Sequence, residues 1–177
     1  IKIGGRGGGD FLPLGNGLEG RVIFGDGETG KNMKAIRFFD KSFNKIKDIV
    51  TLEHHFQRRN LQLTILKESQ FFVTWKNRLY SAWDKEFKID VFDRKGDFIR
   101  SVKYPYKRLK VTKAFKKEVL NFFKTHPTLK DLIRLLNVKL VFPEYLPALR
   151  GIDVDNGKIY CLTWNDTNKG TEMIIMK

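Results

Sequence analysis

The feature that most constrains this chain is a strand–turn–strand unit that returns along it. Arg21-Val22-Ile23-Phe24 leads through a glycine-rich turn into Lys34–Asp40 and then Lys45–Val50. Arg78–Trp83 leads through a short charged turn into Phe87–Asp93 and, after Arg94-Lys95-Gly96, into Asp97–Val102. Lys158–Thr163 leads through the polar stretch 165–170 into Met173–Met176. Each unit keeps one order: a basic residue and a short apolar strand, a polar hairpin, a second strand. In the first two units an aromatic-Asp turn and a third strand follow. The turn aspartates Asp40 and Asp93 lie 53 residues apart, close to the roughly 40–50-residue period of propeller blades.

Composition agrees with a sheet protein. Alanine occurs four times in 177 residues against 15 phenylalanines, a bias toward residues that fit a pleated, half-buried surface. Hydrophobic residues make up 41%, which excludes disorder along most of the chain. Eleven of the 15 glycines precede residue 31, so 1–20 is expected to be a glycine-rich connector, because glycine loses most entropy in a regular element. No stretch approaches the roughly 18 apolar residues of a spanning helix. Cys161 is the one cysteine, which excludes an intramolecular disulfide and a multi-cysteine zinc site. The chain begins at Ile1 rather than Met, and both ends are expected to interrupt a larger pattern.

The period changes at residues 112–136. Phe115, Val119, Phe122 and Phe123 recur on one face of a helix, with Lys113, Lys116, Lys117 and Lys124 on the other. Thr128-Leu129-Lys130-Asp131 reads as the start of a second, short helix, capped by Thr128, with Leu129, Leu132, Ile133 and Leu136 as its apolar face. Pro143 and Pro147 then return the chain to an extended path. From Lys103 to Arg150 there are twelve Lys or Arg against three acids, Glu118, Asp131 and Glu144, a net +9 of the chain's +14. Such a balance leaves anionic partners open.

Asn156-Gly157 ahead of Lys158-Ile159-Tyr160, within 142–160, and Val91-Phe92-Asp93-Arg94-Lys95-Gly96-Asp97-Phe98 resemble the six-bladed β-propeller proteins of bacteria, relatives of the NHL-type propellers. The opening Ile3–Phe11 is similar to the interblade connector of that family, without its common proline. The resemblance implies an all-β fold, a partial β-propeller of four-stranded antiparallel blades with a short two-helix insertion. Its parts are a connector (1–20), blades at 21–60 and 61–111, the helical insertion (112–136) and an incomplete blade (137–177), all in one domain. About three of six blades would be present, the others coming from further sequence or a second chain. It also implies export, to the periplasm, the medium or a lipid-anchored place at the cell envelope.

Gly25–Asn32 nearly matches a phosphate-binding loop, but Asn32 replaces the metal-binding hydroxyl and a strand follows, so a hairpin turn is expected. Asp153–Gly157 lacks the ligands of a calcium loop, and Asn156-Gly157 is expected to form a two-residue type I′ turn. His54-His55, adjacent on an extended chain, point opposite ways. Cys161, inside an apolar strand, is expected to be buried and inert. No catalytic residue, metal or cofactor is expected. Trp75, Tyr80, Trp83 and Trp164 are the candidate ligand anchors on one face, or else packing between blades. Lys113, Lys116, Lys117 and Lys124 are candidate anion contacts, or else a solvated face over the propeller flank. The expected function is a non-enzymatic binding or scaffold module for a protein, peptide or glycan. The alternatives are a propeller lyase or hydrolase completed by other blades, and a nucleic-acid binder using 103–150, which is the less expected partner.

Overall fold

The computed structural model describes residues 11–25, 32–53, 62–66, 70–83, 85–136, 138–167 and 170–177. The strands β1 (Phe11–Leu14), β2 (Gly17–Gly25), β3 (Asn32–Phe39) and β4 (Lys45–Glu53) form an antiparallel meander. After β5 (Gln62–Thr64), a second meander is built from β6 (Gln70–Trp75), β7 (Arg78–Trp83), β8 (Lys88–Phe92) and β9 (Phe98–Lys103). The helices α1 (Lys113–Thr125) and α2 (Leu129–Leu136) follow, then β10 (Lys139–Val141), which pairs in parallel with β5. The third sheet holds β11 (Gly151–Asp155), β12 (Lys158–Thr167) and β13 (Gly170–Met176). The fold is a partial β-propeller: two four-stranded antiparallel blades, a three-stranded one, and a two-helix insertion.

The blades are held together by the alternation of side chains along the second sheet. One face carries Phe71, Val73, Tyr80, Ala82, Ile89 and Val91, which pack with Val154, Ile159, Cys161 and Met176 of the third blade. The opposite face carries Phe72, Leu79 and Phe92, which pack with Leu14, Ile36, Phe38, Ile49 and Val50 of the first. The first strand β6 neighbours both β1 and β11, so the blades stand side by side with their first strands meeting.

The turns explain why the repeat was legible. Asp93 Oδ1 accepts hydrogen bonds from the backbone N–H of Lys95 and of Asp97, at 2.8 and 2.9 Å. Asp40 Oδ1 does the same for Ser42 and Asn44, at 2.8 and 2.9 Å. These bonds to the charged form hold both carboxyls below the ordinary range, Asp93 chiefly through the Asp97 N–H and Asp40 chiefly through the Asn44 side chain. Gly96 takes φ 74° in the second blade, and Phe43 takes φ 63° at the matching place in the first. The expected Asn156-Gly157 turn has φ 49° and 72°, both positive as type I′ requires. Lys76 and Asn77 form its counterpart between β6 and β7, at φ 46° and 58°.

Two expectations are corrected and one is extended. Residues 11–20 are not connector: they form the hairpin of β1 with the start of β2, paired from Phe11 opposite Gly20 to Leu14 opposite Gly17. The first blade therefore spans 11–53 rather than 21–60, and the second spans 70–103 within 61–111. In the first two units the sequence does not mark the first strand, because β1 is short and holds Pro13, while β6 is a nearly unbroken apolar run without alternation. The start of the second helix draws on a residue the sequence did not mark, His126. The N–H groups of Thr128 and Leu129 both donate to His126 Nδ1 at 3.3 Å, whereas Thr112 caps α1 by accepting from the Phe115 N–H. Residues 1–10, 26–31 and 54–61, with the glycine-rich opening and His54-His55, lie outside the described residues.

Gly96 also sits in the seam between blades. A Cβ there would stand 2.9 Å from both Ile49 Cγ1 and Lys47 Cε of β4. Beside it Lys47 Nζ meets Asp97 Oδ1 at 2.6 Å. Gly96→Ala is expected to cost roughly 1–3 kcal/mol in urea unfolding, from backbone strain and this clash together. Lys47→Ala, which removes only an exposed ion pair, is expected to cost about 1 kcal/mol or less.

Candidate functional site

The register of the second sheet sets two rows on the face turned to the first blade. Phe72, Ser81, Asp90 and Ser101 form one row, and Gln70, Trp83, Lys88 and Lys103 the other. Near the turns at Gly96 this face is apolar; toward the opposite end it becomes polar. There a cleft of about 210 Å³ lies between the blades, lined by Val50 and Leu52 of β4 and by Gln70, Ser81, Trp83, Glu86, Lys88 and Asp90.

The polar groups of the cleft are mostly spoken for. Lys88 Nζ donates to Asp90 Oδ2 at 2.9 Å, Ser101 Oγ donates to Asp90 Oδ1, and Gln70 Nε2 donates to Ser81 Oγ at 3.2 Å. The Arg21 guanidinium of β2 donates to the Gln70 carbonyl oxygen and lies 5.3 Å from the Phe72 ring centroid. Gln70 Oε1 is the exception. Its residue is 2% exposed, and among the described residues this oxygen has no hydrogen-bond partner. A buried acceptor left unmet loses its solvation without return, and such groups are few in native proteins. Trp83, 39% exposed, gives the cleft an aromatic wall, with Lys85 Nζ 5.7 Å from its ring centroid.

A second unmet group lies in the same seam. Glu19 of β2, on the same strand face as Arg21 by alternation, is fully buried, and both carboxylate oxygens lack partners among the described residues. Burial pushes its pKa up to about 8, so near neutral pH it is held largely as the uncharged acid. Cys161, as expected, is buried, and burial pushes its thiol up to about 12, which removes it as a nucleophile.

The four candidate aromatics do not share one face. Tyr80 is buried in the core between the second and third blades. Trp75 packs on that core at the β6–β7 turn, with Lys76 Nζ 4.5 Å from its ring centroid. Trp83 ends β7 at the opposite end of the same hairpin. Trp164 stands in the third blade, its Nε1 donating to the Leu149 carbonyl at 3.2 Å under the Arg150 guanidinium. The spacing of aromatics indicated none of this, because strand-end position does not say which end.

The candidate lysines Lys113, Lys116, Lys117 and Lys124 are all exposed on α1 and fall on one side of it. Lys116 Nζ lies 5.8 Å from the Phe142 ring centroid, and α1 contains no buried residue. Gln70, Ser81, Lys88, Asp90 and Glu19 were not found from the sequence. The signal available was Lys88-Ile89-Asp90-Val91, an apolar row for one neighbour alternating with a charged row for the other. No protein-family model, no curated protein and no solved structure matches this chain.

Glu19 supplies a pH test. With its folded pKa raised from 4.5 to about 8, the native state holds a proton that the unfolded chain releases between these values. Stability therefore falls as pH rises through this window, by up to about 1.4 kcal/mol per pH unit. Glu19→Gln keeps the shape and cannot ionise. Urea unfolding at pH 5 and pH 8 is expected to show a smaller loss for the variant than for the parent.

Proposed function

We propose that this chain is a non-enzymatic binding module that accepts a small hydroxyl- or amine-bearing group, such as a sugar residue of a glycan, in the cleft between its first and second blades. The observation that carries this reading is the buried Gln70 Oε1, an uncharged acceptor with no hydrogen-bond partner among the described residues, on a residue that lines that cleft. A ligand hydroxyl or amine meets such an oxygen and relieves the cost of burying it. Trp83 offers a flat apolar surface beside it, and large aromatics often anchor binding energy. Val50 and Leu52 supply the apolar side that a sugar ring also needs. Lys88 and Asp90 neutralise one another, which favours a ligand of little charge over an acidic peptide.

The kinship proposed with NHL-type six-bladed propellers is supported by the paired Asp40 and Asp93 turns at the same place in two blades. Export to the cell envelope or beyond belongs to that proposal. No helix among the described residues is long and apolar enough to cross a membrane.

The test is titration of the purified chain with a panel of mono- and disaccharides, read by tryptophan fluorescence and calorimetry, beside a glycan array. A saccharide is expected to bind, and Trp83→Ala is expected to weaken it roughly tenfold or more. Trp75→Ala, at the far end of the hairpin, is expected to leave the affinity nearly unchanged. Absence of any saccharide binding, or equal affinity in Trp83→Ala, overturns the reading.

A further inference from the structure

We propose that the lysine face of α1 docks this protein on an anionic lipid bilayer. The helix is set on a braced base. Residues 109–111 pair with 144–146 through the Val111 N–H to the Glu144 carbonyl at 3.0 Å and the Leu146 N–H to the Leu109 carbonyl at 2.8 Å. Arg108 ties the two legs further, donating from Nε to the Leu146 carbonyl at 2.9 Å. From this base α1 lies against α2, its Phe115, Val119 and Phe123 half-buried, and none of its residues is buried. Its lysine side is exposed, with Lys116 Nζ 5.8 Å from the Phe142 ring centroid.

That side is uniform in charge. Helical periodicity sets Lys113, Lys117 and Lys124 nearly in line, with Lys116 beside them, along about 17 Å. Glu118 is the one acid in α1, about 140° around the helix from Lys113. Leu120 lies in the middle of the lysines and is 37% exposed. Phe122, at the edge of the apolar face, is 52% exposed. The surrounding segment 103–150 carries twelve basic residues and three acids, so the helix is not offset by a neighbouring acidic patch.

A straight row of lysines with an exposed apolar residue among them fits a broad, flat field of negative headgroups. A nucleic acid is the poorer match. The helix has no arginine for bidentate phosphate or base contacts, and Phe115 and Phe123 are half-buried instead of forming an open stacking platform. Each lysine near an anionic surface strengthens binding about fivefold, and salt weakens the attraction.

The experiment is flotation of the full chain with phosphatidylcholine vesicles, with vesicles carrying about one-third phosphatidylserine, and with the latter plus competing duplex DNA at equal phosphate. Binding to the anionic vesicles alone is expected, weakened by salt and retained against the DNA. The double variant Lys113→Glu, Lys117→Glu is expected to lower it at least tenfold. Glutamates there lie in the first turns of α1, where the helix dipole favours them, and circular dichroism verifies the fold. Lys41→Glu, in the β3–β4 turn, is the control and is expected to bind as the parent does. Equal binding to neutral vesicles, no binding at all, displacement by the DNA, or an unaffected double variant each overturns the proposal. The double variant is expected to match the parent in the saccharide titration, so failure here is separate from failure of the cleft.

Discussion

The structure depends on one sheet being apolar on both faces. In the second blade, odd and even positions serve different neighbours: Tyr80, Ala82, Ile89 and Val91 meet the third blade, and Leu79, Phe92 and Phe72 meet the first. A sheet with a single apolar face would form only one such seam. With two, a meander of about 34 residues becomes the wall that joins its neighbours, and burial of aliphatic and aromatic surface on both sides supplies the driving force.

The two seams differ, and the difference positions the candidate site. Toward the third blade the contact is apolar throughout the cluster from Tyr80 to Met176. Toward the first blade it is apolar only near the aspartate turns, where Gly96 lets β4 come close. Farther along, Gln70, Ser81, Asp90 and Lys88 replace apolar residues on the same face, and the blades part into a cleft. Glu19 and Gln70 leave oxygens unmet among the described residues in this one seam. Stability is thus given up where polar groups gather, the pattern expected of a place with a role other than packing.

Much of the fold was legible because it is written in turns. Asp93 with Gly96, and Asn156 with Gly157, specify backbone shapes that few other residues reach, and these shapes mark the ends of strands. The first strand of each blade carries no such mark at its entry, so β1 was absorbed into a glycine-rich connector and β6 went unnoticed. The parallel pair of β5 and β10 joins residues 77 apart, as Gln62 with Lys139, and local pattern holds no record of such a contact. The helices announced themselves through the period of Phe115, Val119 and Phe123. The capping of α2 by His126 did not, since a histidine before a helix has many other uses. The site was least legible. Tryptophans are conspicuous in a sequence, but which side and which end of a blade each occupies depends on register. Gln70, the more informative residue, looks ordinary.

The central claim is that the second blade is covered on both faces and paired along both edges of β7. Native-state amide hydrogen exchange tests it most directly. Residues 79–82 of β7, bonded to β6 and to β8, are expected to exchange only through global unfolding, with the highest protection in the chain. Exchange of these amides as fast as those of the solvent-facing edge of β13 would contradict the account.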